Sequence, residues 1–349
     1  MIPFNKKKHS DITVTVSDGA EVDPKEETFH LHKFPLVSKS HFFDENIPDS
    51  AERPGAIEMH IKDFPGGPAA FEIVAKWCYG IDIELTVDEI APVYCGARYL
   101  HAPDLEKTTD AFMTEIVLPD PRKAAKVLKV ATDIENMRED MMENLVGRCI
   151  NAIAASFGDY EELNALPPDC FACIVRNARD LEESKDLLER AVTSFLKAHL
   201  TEDTLHLTEA EFIEVVSATG RMDDMRHCDA VYSFLEVLLR QLPEEDAVVD
   251  VCKALHDLGF WVSLPHSVIE RAYADRAIPD RYCTVALMAE NRHLLKVNEQ
   301  LAEQVEHLSA TLSQMGAVSE SHHAVASMGM AGAGAHAAGA GASSGRSMQ

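Results

Sequence analysis

Cysteine, histidine and carboxylate side chains are where this sequence could do chemistry, and their spacing is informative. Cys170-Phe171-Ala172-Cys173 forms a C-x-x-C pair. A structural zinc site needs four ligands, usually from a second close pair. The sequence has no second C-x-x-C, only His227 and Cys228 as further candidates. A redox dithiol needs a βαβ setting, and the surrounding pattern is helical. At i, i+3 on a helix the two thiols share one face, which reads as core packing. His30 and His32 lie on the same face of a strand, with neither an acid nor a third histidine nearby to complete a metal site. His322, His323 and His336 sit in a low-complexity tail. The acidic runs at 182–183 and 244–246 flank helix starts, where negative charge favours the helix dipole. They do not separate an acid from a base. Phosphate loops, dinucleotide fingerprints, H-E-x-x-H and G-x-S-x-G are all missing. These observations predict no catalytic residue, no cofactor and no metal, and hence no enzyme. A thiol- or zinc-dependent activity in the helical half is the weakest reading retained.

Charge excludes other classes. Asp and Glu number 58 against 32 Lys and Arg, a formal charge of -26. Phosphate neutralisation needs a basic face, so nucleic acid is not an expected partner. Docking on anionic lipid through the whole surface is disfavoured for the same reason. The only short basic run is at residues 6–8. No apolar run approaches 18 residues, so no transmembrane helix is expected. The first residues lack the apolar core of a secretory signal, so the eight cysteines are expected as thiols. The expected location is cytoplasmic, with the plasma membrane reached through partners.

The elements that position these groups fall into four segments. Over 9–118, Ile12, Val14 and Val16 alternate with polar residues as a half-buried strand. Phe29 and Leu31 mark a returning strand, and Ile57, Met59 and Ile61 a third. Pro35 suits the first turn of a short helix through Ser40. Phe71, Val74, Ala75 and Cys78 follow at helical spacing, up to Gly80. Residues 81–85 read as a short strand or extended link, and 87–100 as another helix. This is an α+β pattern. Over 119–282 the strands vanish. Apolar stripes such as Val231, Phe234, Leu235, Leu238, Leu239 and Leu242 predict an all-α bundle or stacked array. Pro167 and Pro168 mark a helix start.

Over 283–315, Leu287, Leu294, Leu301, Leu308 and Met315 recur every seven residues. With these at d, Asn291, Asn298, Val305 and Leu312 occupy a, which predicts a coiled coil of about four heptads. Asparagine at a favours a specified, parallel, two-stranded register. The alternative is one amphipathic helix packed on the bundle. Residues 316–349 are rich in Ala, Gly and Ser, and disorder is expected there.

The first segment resembles a BTB/POZ domain. The residues that carry the resemblance are Ser10-Asp11-Ile12, then Phe29-His30-Leu31-His32-Lys33 leading into residues 35–40. Residues 61–67, with the string DFPGG, lead into Phe71 and Lys76-Trp77-Cys78-Tyr79-Gly80. The strings FHLHKFPL (29–36) and FEIVAKWCYGIDIELT (71–86) are similar to the plant non-phototropic hypocotyl 3 / root phototropism 2 family. YSFLEVLL (232–239) and AIPDRYCTVALMAEN (277–291) resemble that family's helical domain and its ending. The resemblance implies a BTB domain that homodimerises and can recruit cullin-3. It also implies a helical domain that holds clients, notably phototropin-type blue-light receptor kinases, or takes part in auxin-transport complexes. Asp11 and Lys33 match a BTB dimer-interface pair of opposite charge. His32 matches a structural histidine at the strand–helix junction. Phe43-Asp44-Glu45 resembles the hydrophobic-x-acidic motif by which such adaptors touch cullin-3, in the loop before the third strand. There Phe43 would plug a groove and Glu45 would pair with a basic group. The alternative is that Phe42 and Phe43 close the preceding helix as core residues. In the tail, Arg346-Ser347 would suit a 14-3-3-type pocket if Ser347 were phosphorylated.

The sequence therefore predicts a non-catalytic, homodimeric BTB adaptor. Its dimer contacts are Asp11 and Lys33 with Leu287, Asn291, Leu294, Asn298, Leu301, Val305 and Leu308 of the coiled coil. Its cullin-3 contacts are Phe43 and Glu45. The alternative is a dimeric signalling scaffold that does not bind cullin.

Overall fold

The computed structural model describes residues 3–20, 24–48, 57–134, 137, 139–179, 185–202, 204–220, 228–242, 245–275 and 278–334. The chain opens with β1 (Ile12–Ser17) and β2 (Glu26–Leu31), followed by α1 (Lys33–Val37), α2 (His41–Asn46) and β3 (Ile57–Ile61). The sheet order is β2-β1-β3. β1 pairs antiparallel with β2 and parallel with β3. The parallel pair needs a crossover, which the two short helices provide. Alternation along β1 does what the pattern predicts: Ile12, Val14 and Val16 are fully buried and Thr13 and Thr15 are not. Val14 lies opposite Phe29 in the β2 register, and Ile12 opposite Leu31.

α3 (Gly67–Cys78) closes over this sheet, with Phe71 at the centre of an aromatic cluster. Phe71 lies 5.1 Å from Phe29 and 5.5 Å from Phe64 between ring centroids, at the tilted and edge-on angles aromatic pairs prefer. The turn into α3 requires glycine. Gly66 has φ +80°, and a Cβ there would stand 2.4 Å from Cβ of Pro92. Residues 81–86 are an extended link without strand pairing. Next come α4 (Ile90–Tyr99) and α5 (Pro103–Phe112), which ends in a π-helical turn, Met113–Val117. α6 (Pro121–Thr132) and α7 (Glu139–Ala155) then pack against each other and against α4. A polar joint fastens these helices. Asp110 of α5 accepts from Arg98 of α4 at 3.2 Å and from Arg148 of α7 at 2.8 Å. The Arg98 guanidinium lies 3.8 Å from the Tyr94 ring centroid, and the Tyr94 hydroxyl donates to Asn144 at 3.2 Å.

The helical half continues as α8 (Pro168–Ala178), α9 (Lys185–Ala198), α10 (Glu209–Ser217), α11 (Cys228–Gln241), α12 (Glu245–Asp257) and α13 (His266–Asp275). It is not wholly free of strands. β4 (Leu200–Thr201) and β5 (Thr204–Leu205) form a small hairpin that the helical periodicity does not reveal, because it is two residues per strand. Phe171 of α8 stacks on Phe195 of α9 at 4.1 Å. α10 begins in a capping box, where Thr208 and Glu211 satisfy each other's backbone amides. Trp261, fully buried, donates its indole N–H to the Cys252 carbonyl at 3.0 Å and stacks on Tyr282.

The last element, α14 (Asp280–Gly334), differs from the expectation at its end. Order was expected to stop near 316, but the helix runs on to Gly334. Five alanines between 317 and 333 supply the strongest helix former at the positions where a core was missing. Residues 335–349 lie outside the described residues. Contacts divide the chain into two units, Met1–Cys283 and Thr284–Gln349.

Candidate interaction surface

The junction between β2 and α1 is built from three separated pieces of sequence. His32 caps α1 in an extended conformation without a side-chain cap bond. Asp11, at the start of β1, fills that role from across the sheet: its carboxylate accepts the Lys33 amide N–H at 2.7 Å. Asp11 is exposed and is bonded to backbone within its own chain. His32 keeps the structural place expected of it. Its amide donates to the Tyr79 hydroxyl at 2.6 Å, and its Nδ1 lies 2.9 Å from the same oxygen. Burial pushes the Tyr79 phenol up to about 12, so it stays neutral through the physiological range. Phe4 packs edge-on against Tyr79 at 5.2 Å.

Next to this junction stands a residue the sequence reading missed. Phe34 is 76% exposed, and no other large apolar side chain among the described residues is more so. Pro35 and Leu36 point into the core instead. The signal was present in the phase of a five-residue helix, which is too short for periodicity to resolve.

α2 starts at the Ser40 cap. The Ser40 hydroxyl accepts the Phe43 amide at 3.3 Å and donates to the Leu100 carbonyl at 2.5 Å. Residues 43–45 therefore lie in a helix and not in the expected loop. Phe43 is fully buried, 5.5 Å from Phe42 and 6.4 Å from Phe71 between centroids. This corrects the expected role of its ring as a plug for a partner's groove, because aromatic neighbours in its own core already enclose it. Asp44 and Glu45 are exposed on the outer face of α2.

The chemistry-bearing residues do not converge. Cys170 is buried and its thiol is pushed up to about 12 by burial. It is protonated at neutral pH, the opposite of an activated nucleophile. Cys173 is half-buried and accepts from Arg176 at 3.7 Å. Burial likewise raises Cys78, Cys95, Cys149 and Cys252 to about 12. Among the described residues no three His, Cys, Asp or Glu side chains gather as a metal site would require. Nor is any helix among them long and apolar enough to cross a membrane. His227, His336 and Ser347 lie outside the described residues, as do the side chains of Cys228, His322 and His323.

Within the second unit, α14 presents the heptad residues to solvent. Leu294, Leu301, Val305 and Leu308 are each half exposed or more, Leu287 is 39% exposed, and Asn291 and Asn298 are exposed on the same stripe.

Comparison with known proteins agrees with this arrangement. The BTB/POZ domain family model matches residues 3–116. Three Arabidopsis thaliana proteins are similar. BTB/POZ domain-containing protein SR1IP1 is 34% identical over 40% of this chain and 24% of its own length. Root phototropism protein 2 is 28% identical over 51% of this chain and 33% of its own length. Phototropic-responsive NPH3 family protein NPY1 is 35% identical over 42% of this chain and 25% of its own length. The matched segments thus span a third or less of these relatives. With a three-stranded sheet under a helical cap over the matched residues, the chain carries a BTB/POZ domain and is similar to the plant Root phototropism protein 2 and NPH3-family proteins.

Proposed function

We propose that the chain is a non-catalytic adaptor. Its BTB domain pairs with a second copy, and its helical half, residues 119–282, holds a client. The observation that carries this is Phe34. A 76% exposed aromatic beside a well-ordered strand–helix junction is an anchor of the kind that dominates protein interfaces. Asp11 and Lys33 flank it and set the polarity of the contact. Asp11 acts by holding the start of α1 in place, and Lys33 by its charge. Relatedness to root phototropism and NPH3-family proteins supports a phototropin-type receptor kinase as the client, met at the plasma membrane through that partner. A 14-3-3 protein at phosphorylated Ser347 would add a switch to the tail.

Cullin-3 is the proposed effector of the BTB surface. Glu45 offers a carboxylate on α2 for a basic group, and buried Phe43 fixes the helix beneath it. The test is light scattering with a binding assay against the cullin-3 N-terminal domain. A wild-type dimer that binds, a Phe34→Asp chain whose dimer dissociates at higher concentration, and a Glu45→Lys dimer that does not bind would bear this out. The burial of Phe43 favours one second reading, a dimeric signalling scaffold without cullin. It removes the apolar half of the cullin motif from the surface. A wild-type dimer that fails to bind cullin-3 would select the scaffold, and a wild-type monomer would refute both readings.

A further inference from the structure

We infer that α14 recognises a second copy of this chain, in parallel and in register, with Asn291 and Asn298 acting as the key. This contact is separate from the BTB contact proposed above. Three observations choose the occupant. The first is the asparagines, exposed seven residues apart at a positions on an otherwise apolar stripe. An amide closed into an apolar seam must find a polar partner at its own level. A second copy in parallel register supplies one at two consecutive layers. A slip of one heptad leaves an asparagine of each copy facing Val305 or Thr284. An antiparallel pairing sets each amide against leucine. The second observation is charge on the flanks of the seam. In the parallel pairing, position 290 meets 295 of the second copy, 297 meets 302, and 304 meets 309. Those residues are Glu–Leu, Val–Ala and Gln–Ser. A chain of formal charge -26 therefore meets a copy of itself with no like charges opposed. A heterologous helix would find no ion pair here to read. The third is residue shape: Val305 at a beside Leu301 and Leu308 at d is the combination that favours two strands.

The experiment uses the full chain. Leu308→Cys puts a thiol in the seam, and Glu303→Cys puts one on the outer face of the same helix. Background is read from wild type, whose buried thiols are held protonated. With copper phenanthroline as oxidant, the Leu308→Cys chain is expected to form a disulfide-linked dimer at least ten-fold faster than the Glu303→Cys chain. Equal rates would overturn the inference. So would a mixture in which Leu287→Cys links to Leu312→Cys while neither links to itself, since that marks an antiparallel pair. Adding Phe34→Asp separates the two contacts. Persistence of the Leu308→Cys link in that background supports pairing by α14 itself, and its loss overturns it. Asn291→Leu with Asn298→Leu is expected to shift the mass by light scattering from dimer to a mixture of higher species. An unchanged dimer would refute the asparagine key.

Discussion

Phe43 decides between two accounts of the BTB surface, and its replacement by alanine separates them. The ring is fully buried, edge-on to Phe42 and Phe71. Removing it leaves a cavity beneath α2, and buried Phe→Ala changes cost about 3–5 kcal/mol. Loss of the paired rings adds to that cost, on the order of 1 kcal/mol. At about 2–4 °C per kcal/mol for a body of this size, the melting temperature should fall by roughly 10–20 °C. The assay is thermal unfolding of the full chain by intrinsic fluorescence and circular dichroism, run beside Glu45→Lys. The exposed Glu45 position should move the transition by no more than about 1–2 °C, as surface changes away from special features do. If Phe43→Ala melts within about 2 °C of wild type yet abolishes a partner contact, the ring faces the partner and the packing argument is wrong. The same reasoning makes Phe43→Ala a poor probe of cullin binding, because lost binding would report a damaged helix. Glu45→Lys is the clean probe.

Other outcomes follow from the same geometry. Asp11→Ala removes the acceptor for the Lys33 amide and should lower stability by about 1 kcal/mol, as loss of a helix cap does. Denaturant titration checks this. Gly66→Ala places a Cβ against Pro92 in a left-handed backbone. A loss of about 1–3 kcal/mol is expected, and a neutral result would show that the turn can shift. The raised thiols and Tyr79 give a pH dependence of definite sign. Their folded values lie near 12, above the ordinary 9.0 and 10.0, so the neutral forms stabilise the fold. That stability is complete below about pH 9 and is lost as pH rises towards 12. Melting curves from pH 7 to 11 that stay flat would contradict it. Trp261→Phe removes the indole donor that adds to the helical bond of the Cys252 carbonyl, at a cost of about 0.5–1.5 kcal/mol, readable in the same melts.

Several of these features were legible in the sequence. The alternation Ile12, Val14, Val16 specified β1 and its buried face, and the seven-residue leucine repeat specified the stripe on α14. The strings around 29–36 and 63–80 carried the BTB resemblance. What periodicity could not supply was orientation within very short elements. α1 has five residues and α2 six, too few for a phase to emerge, so Phe34 was overlooked and Phe43 was assigned to the surface. The two-residue strands β4 and β5 fall below the same limit. Asp11 and Lys33 were expected as a dimer-interface pair, and within one chain the Asp11 carboxylate accepts the Lys33 amide. Sequence shows two opposite charges. It does not show that an extended His32 leaves a helix amide open for one of them.

The joint around Asp110 bears on where this chain can be divided. The family match ends at residue 116, but Ala91, Tyr94 and Cys95 of α4 are fully buried, with α6 and α7 packed over that helix. Severing the chain after the match would strip those side chains and deprive Asp110 of Arg148. The end of the family match is thus not an edge of the packed core. Residues 1–283 form one compact unit, in which α4 is joined to α6 and α7 by packing and by the Asp110 carboxylate. If the proposed client binds this half, α4 and the Asp110 joint connect its seat to the BTB domain.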